Sequence, residues 1–184
     1  YYIEMNRIVK RVETFEFNTP RQKRYRVRPA AESDWPFILL LNAQNSSFLI
    51  PTGREADKEK IRQSFFDTYA EMDIVNDRYM KVFIGEEPEV RRQAGYIIIK
   101  VEALDMVSEK PLAYIYDINV HRDYWGKYIT QRLVKEAQNH LAGRGVEYLI
   151  GDTAESNPRP LKVAIKTLGF NLYSRRWVKK IRAQ

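Results

Sequence analysis

A run of β-forming residues that changes abruptly into a helical repeat constrains this chain more than any other feature. Tyr114, Ile115, Tyr116, Ile118 and Val120 are β-branched or aromatic, and only Asp117 and Asn119 interrupt them, which predicts a strand. Val120-His121-Arg122-Asp123-Tyr124 then forms a polar turn, and Gly126 admits backbone conformations that other residues avoid. Ile129, Leu133, Val134 and Ala137 recur at helical spacing. The segment therefore reads as strand, tight basic turn and helix start. A helix start presents unpaired N–H groups and the positive end of the macrodipole, and Arg122, Lys127 and Arg132 stand around this one. That geometry suits a phosphate. Taken alone, the loop is equally an ordinary turn with a solvated basic rim.

The rest of the chain supplies a mixed sheet with helices. Val12–Phe17 alternates like a short strand before Asn18-Thr19-Pro20 breaks it, so residues 1–24 read as an N-terminal extension, an extra edge strand or a tether. Tyr25–Ala30 alternates as a strand, and Ser33 or Asp34 caps a helix carrying Trp35, Phe37, Ile38, Leu40 and Leu41. Asn42–Arg54 is loop-like, and Asp57–Met72 places Ile61, Phe65, Phe66 and Tyr69 on one helical face. Tyr79–Gly85 and Ala94–Leu104 read as strands, the second central because it carries three consecutive isoleucines. With Leu112–Val120 they make an antiparallel meander. A helix from Gly126 to about Leu141 and a strand at Val146–Ile150 then imply a parallel pair. Pro158-Arg159-Pro160 opens another helix, and Asn171–Ile181 is the last strand or hairpin.

Two separated motifs in this order resemble the GNAT superfamily of acyl-CoA-dependent N-acyltransferases. In that family a strand runs through a turn into Arg/Gln-x-x-Gly-x-Gly/Ala, whose backbone cradles the coenzyme A pyrophosphate. The matching positions are Trp125, Gly126, Lys127, Tyr128, Ile129 and Thr130, with Trp125, Tyr128 and Thr130 departing from the pattern. The second motif is Asn157, a short helix and Leu168-Gly169-Phe170. The resemblance covers about residues 25–184. It implies an α/β (α+β) GNAT fold, a mostly antiparallel mixed sheet of six to seven strands flanked by about four helices. It further implies that backbone groups of Ile118, Asn119 and Val120, with the Asn157 side chain, hold the pantetheine arm of acetyl-CoA.

The chemistry so implied is transfer of an acetyl group to a primary amine of a small molecule or protein. Asp117 is the candidate for positioning or deprotonating the amine; a purely structural role at the strand end fits its residue type equally. The family's usual acid, a tyrosine before Leu-Gly-Phe, is Ile165 here, which leaves Tyr116 and Tyr173 as candidates. The altered loop and Ile165 also fit a GNAT-fold module that has lost turnover and binds CoA or regulates.

Composition narrows the field. The absence of cysteine excludes disulfides and thiolate chemistry, and two histidines make a His-rich zinc site unexpected, so no metal is expected. No apolar run reaches the length of a membrane span and no signal peptide is visible, so a cytoplasmic chain without membrane contact is expected. A net charge of +7 favours an anionic partner. The basic residues are spread along the chain among 24 acidic ones, which points to the cosubstrate and not to nucleic acid. A homodimer is left open, and a first residue of Tyr1 is expected of a piece of a longer chain.

Overall fold

The computed structural model describes residues 2–13, 25–45, 57–73, 77–102, 104, 109–155 and 157–178. Seven strands form one sheet: β1 (Tyr2–Arg11), β2 (Arg26–Pro29), β3 (Met80–Glu87), β4 (Arg92–Glu102), β5 (Leu112–Val120), β6 (Tyr148–Ala154) and β7 (Asn171–Val178). Among the described residues four α-helices accompany them: α1 (Trp35–Asn45), α2 (Lys58–Ala70), α3 (Ile129–Ala142) and α4 (Pro158–Lys166). The sheet order is β2-β3-β4-β5-β6-β1-β7. All neighbours pair antiparallel except β5 and β6. This is the mixed, mostly antiparallel sheet with four helices that the resemblance implies.

Both faces of the sheet are covered. Ile97, Ile98 and Ile99 are all fully buried, as a central strand sandwiched between helices requires. Ile97 and Ile99 join Phe83, Leu133, Val134, Ala137 and Leu141 in the core that α3 covers. Ile98 faces the other way and packs with Val82, Ile84, Tyr96, Ile38, Leu41 and Tyr69 beneath α1 and α2. Each buried Val, Leu, Ile or Phe among them stabilises the fold by about 1.5–3 kcal/mol relative to exposure.

The N-terminal segment departs from expectation. Its strand is Tyr2–Arg11, upstream of Val12–Phe17, and it lies at neither edge of the sheet. β1 sits between β6 and β7 and pairs antiparallel with both. Its side chains explain why it stays there. Arg7 forms a two-pronged ion pair with Asp152 of β6 at 3.0 and 3.1 Å, Lys10 donates to the Leu168 carbonyl at 2.6 Å, and Asn6 donates to Glu155. Ile8 is buried in the α3-side core. Residues 2–11 are thus an integral strand of the domain, and residues 14–24, with most of the expected strand, lie outside the described residues.

Two helix boundaries also move. α3 begins at Ile129 and not at Gly126, because Gly126 (φ +77°) and Tyr128 (φ +66°) adopt left-handed conformations that a right-handed helix excludes. α1 runs through Asn45, so the first residues of the expected Asn42–Arg54 loop are helical; residues 46–56 lie outside the described residues. α2 starts where expected, its N-cap Asp57 accepting from the N–H groups of Glu59 and Lys60.

Candidate active site

The parallel ladder of β5 and β6 ends early. It runs from Leu112 opposite Tyr148 to Ile115 opposite Gly151 and stops. β5 continues to Val120 paired only with β4, while β6 continues to Ala154 paired only with β1. The two strands therefore part, and the edge of Tyr116–Val120 that faces β6 has no strand partner among the described residues. The resemblance implies this splay.

A β-bulge sits where they part. Ile99 pairs with Ile115 and Ile98 with Asp117, so Tyr116 is the extra residue. A bulge shifts the alternation of side chains by one. Ala113 and Ile115 face the α3-side core, and without the bulge Asp117 would follow them. Instead Ile118 and Val120 take that face, while Tyr116 and Asp117 both turn toward α1 and α2. One inserted residue thus decides whether the carboxylate meets isoleucines or tyrosines.

There Asp117 meets a ring of neutral donors. Its Oδ2 accepts from Tyr96 Oη at 2.5 Å, Tyr69 Oη at 2.8 Å, Asn42 Nδ2 at 2.9 Å and Asn119 Nδ2 at 3.1 Å. Its Oδ1 accepts from Asn119 at 3.0 Å. Asn119 is itself oriented by Asn45, which donates to its Oδ1 at 2.9 Å. No cation pairs with Asp117 among the described residues. Burial, and next the adjacent negative charge of Asp117, push the Tyr69 and Tyr96 hydroxyls far above the usual tyrosine value, so both stay protonated donors. Tyr116 leans edge-on against Tyr69 with ring centres 6.3 Å apart, and it is 39% exposed.

The loop after β5 carries the residues that the resemblance assigns to the pyrophosphate. A turn at Arg122–Tyr124 leads to Trp125, whose indole N–H donates to the Val120 carbonyl at 2.9 Å and ties the loop to the strand end. Trp125 thereby has a structural task in this chain. Tyr128 is the N-cap of α3 in the left-handed region, which accounts for glycine being usual there; a tyrosine bears a cost of roughly 1–2 kcal/mol for the same conformation. A Cβ at Gly126 would touch nothing within 4 Å, so the constraint at Gly126 comes from its positive φ and not from crowding by the protein. The N–H groups of Gly126, Tyr128, Ile129, Thr130 and Gln131 find no backbone acceptor among the described residues. No acidic residue occupies the first turn of α3. Lys127 lies 5.6 Å from the Tyr124 ring centre.

The remaining sequence candidates fall on both sides of this outcome. Ile118 packs against the core, so only its backbone can serve a ligand. The Val120 carbonyl is already used by Trp125. Asn157 is the N-cap of α4, yet its side chain makes no capping bond. Tyr173 does not join the group: it is exposed on β7, three strand spacings and so roughly 14 Å from β5. Ile165 is 41% exposed on α4. Sequence reasoning missed Asn42, Tyr69 and Tyr96, which lie 75, 48 and 21 positions from Asp117 and carry no local motif. Two surface concavities among the described residues, one on the outer face of α2 and one between Arg26, Asp34 and Arg91, are not lined by Asp117 or the loop after β5. Among the described residues no cluster of metal-ligating side chains occurs, and no helix is long and apolar enough to cross a membrane.

The family model of the acetyltransferase (GNAT) family matches residues 38–170, and the chain belongs to that family. Solved structures share the fold. One from Pyrococcus furiosus, described as an acetyl transferase, is 21% identical with a TM-score of 0.67, covering 85% of this chain and 99% of its own. An aminoglycoside acetyltransferase from an uncultured soil metagenomic sample, solved in complex with sisomicin, is 21% identical with a TM-score of 0.57, covering 88% and 97%. Glucosamine-6-phosphate N-acetyltransferase from Arabidopsis thaliana is 19% identical with a TM-score of 0.56, covering 86% and 99%. No curated protein matches the chain.

Proposed function

We propose that this protein transfers the acetyl group of acetyl-CoA to a primary amine of a small molecule or protein by direct attack on the thioester. The observation that carries this reading is the parting of β5 from β6 beside a helix start with open N–H groups. The backbone of Trp125–Thr130 would take the pyrophosphate, and backbone groups of Ile118 and Asn119, with the Asn157 side chain, the pantetheine arm. In the reaction the amine nitrogen bonds to the carbonyl carbon and the carbon–sulfur bond breaks. Nitrogen releases a proton and the thiolate gains one.

Asp117 acts here by charge and position. Its lone pairs are largely engaged by hydrogen bonds from neutral groups, yet its negative charge is uncompensated, so it favours an acceptor that arrives as an ammonium. Tyr116, on the bulge where the strands part, is the candidate that returns a proton to sulfur. Calorimetry with acetyl-CoA, followed by a screen of amines, tests the reading. Saturable binding with turnover of at least one amine is expected, and no binding even at millimolar ligand would end it. The exposed Ile165 and distant Tyr173 favour a second reading, a CoA-binding module without turnover. Binding with no acetylation in the same screen would select it.

A further inference from the structure

Trp125 stands at the first position of the loop motif, where the resembled family has Arg or Gln, and so removes a polar group from the loop's own sequence. The fold brings one back from elsewhere. The Arg159 guanidinium lies 4.5 Å from the centre of the Trp125 ring, and that of Arg122 lies 5.7 Å from it. Trp is the strongest cation–π partner among the side chains, and its ring is held still by the bond to the Val120 carbonyl. Arg159 also occupies the first turn of α4, where the positive end of the helix dipole disfavours a cation and where no acidic residue offsets it. It is exposed and forms no ion pair among the described residues. A cation placed against a helix dipole and stacked on an anchored indole leaves a planar set of donors open beside the loop.

We infer that Arg159, stacked on Trp125, supplies from α4 the side-chain donor that the loop's first position no longer offers a ligand and binds the diphosphate of the acyl-CoA cosubstrate; this rests on the acetyl-CoA reading above. The test is calorimetry on the full chain with two probes, CoA and dephospho-CoA, which lacks the 3′-phosphate but keeps the diphosphate. Arg159→Ala should weaken both probes equally, by roughly ten- to hundredfold, with an unchanged melting temperature because the side chain is exposed. Arg159→Lys should recover only part of the loss, since an ammonium keeps the charge without the planar fork. Trp125→Phe, which keeps an aromatic face, should lose less than Arg159→Ala. Unchanged affinity in Arg159→Ala would overturn the inference and leave the functional reading standing. A loss confined to CoA would move Arg159 to the 3′-phosphate and overturn the diphosphate assignment. Wild-type protein that binds neither probe would overturn the functional reading and this inference with it.

Discussion

Asp34 is a buried carboxylate and Asp117 a partly buried one, and the protein satisfies them in opposite ways. Asp34 is buried and grips the guanidinium of Arg28 at 2.7 and 2.9 Å, adding the Ala31 N–H at 2.7 Å and Gln93 at 2.5 Å. Arg28 in turn reaches Glu86 at 3.0 Å, which ties β2 to β3 and to the start of α1. Asp117 has four partner residues to the three of Asp34, but they are hydroxyls and amides. The first charge is cancelled where it stands and serves the fold. The second keeps its field, and desolvating an uncompensated charge is costly unless something uses it. On the proposed function, the difference separates a structural carboxylate from one left open for a cationic substrate.

The comparison breaks most visibly on the Asp34 side. Arg28→Ala should cost about 3 kcal/mol in denaturant unfolding, because it strands a buried carboxylate. Exchanging both residues for apolar ones of similar size should recover most of that loss. CoA affinity of the folded fraction should not change. On the other side, Asp117→Asn keeps the shape but removes the charge, and it should lower kcat/KM by about 100-fold with CoA affinity nearly constant. Wild-type turnover in that variant would make Asp117 a second Asp34. Tyr116→Phe should lower kcat by roughly tenfold without affecting stability, since its hydroxyl takes no part in the Asp117 ring. Tyr69→Phe removes one donor from that ring and should cost about 1 kcal/mol of stability, read as a shift in the denaturant midpoint.

Sequence reasoning reached these two carboxylates unequally, and the reasons are physical. The strand–turn–helix at Tyr114–Arg132 was legible because periodicity, turn residues and a helix start are local signals. The order of strands and helices followed from the same signals. β1 was misplaced because pairing Arg7 with Asp152 is a contact between residues 145 positions apart, which no local pattern records. The bulge at Tyr116 was equally invisible: it is a relation between β4 and β5, yet it alone turns Asp117 toward Tyr69 and Tyr96. Asp117 was found as a residue type at the right place, but its uncompensated charge depends on three elements meeting. Arg159 did leave a trace, a cation beside two prolines at a helix start, and its partner Trp125 was noted only as a departure from a motif.

The smallest effect expected from the comparison lies in the acid limb of stability. Burial pushes the Asp34 carboxyl up, but Arg28, the Ala31 N–H and Gln93 outweigh it and hold the group below its ordinary value of 3.8. The unfolded chain therefore binds the proton before the native protein does. The stability that Asp34 contributes is complete above the ordinary carboxylate range and is lost as pH falls through the folded-state value. Other carboxylates titrate in the same interval, so the informative quantity is the difference between two proteins. Between about pH 5 and about pH 3 the wild type should lose more unfolding free energy than Arg28→Ala, whose Asp34 has already lost its counter-charge. The gap between the two curves should close toward the acid end. Parallel curves for wild type and Arg28→Ala would mean that Arg28 does not hold the Asp34 charge, and the contrast between the two carboxylates would then rest on geometry alone.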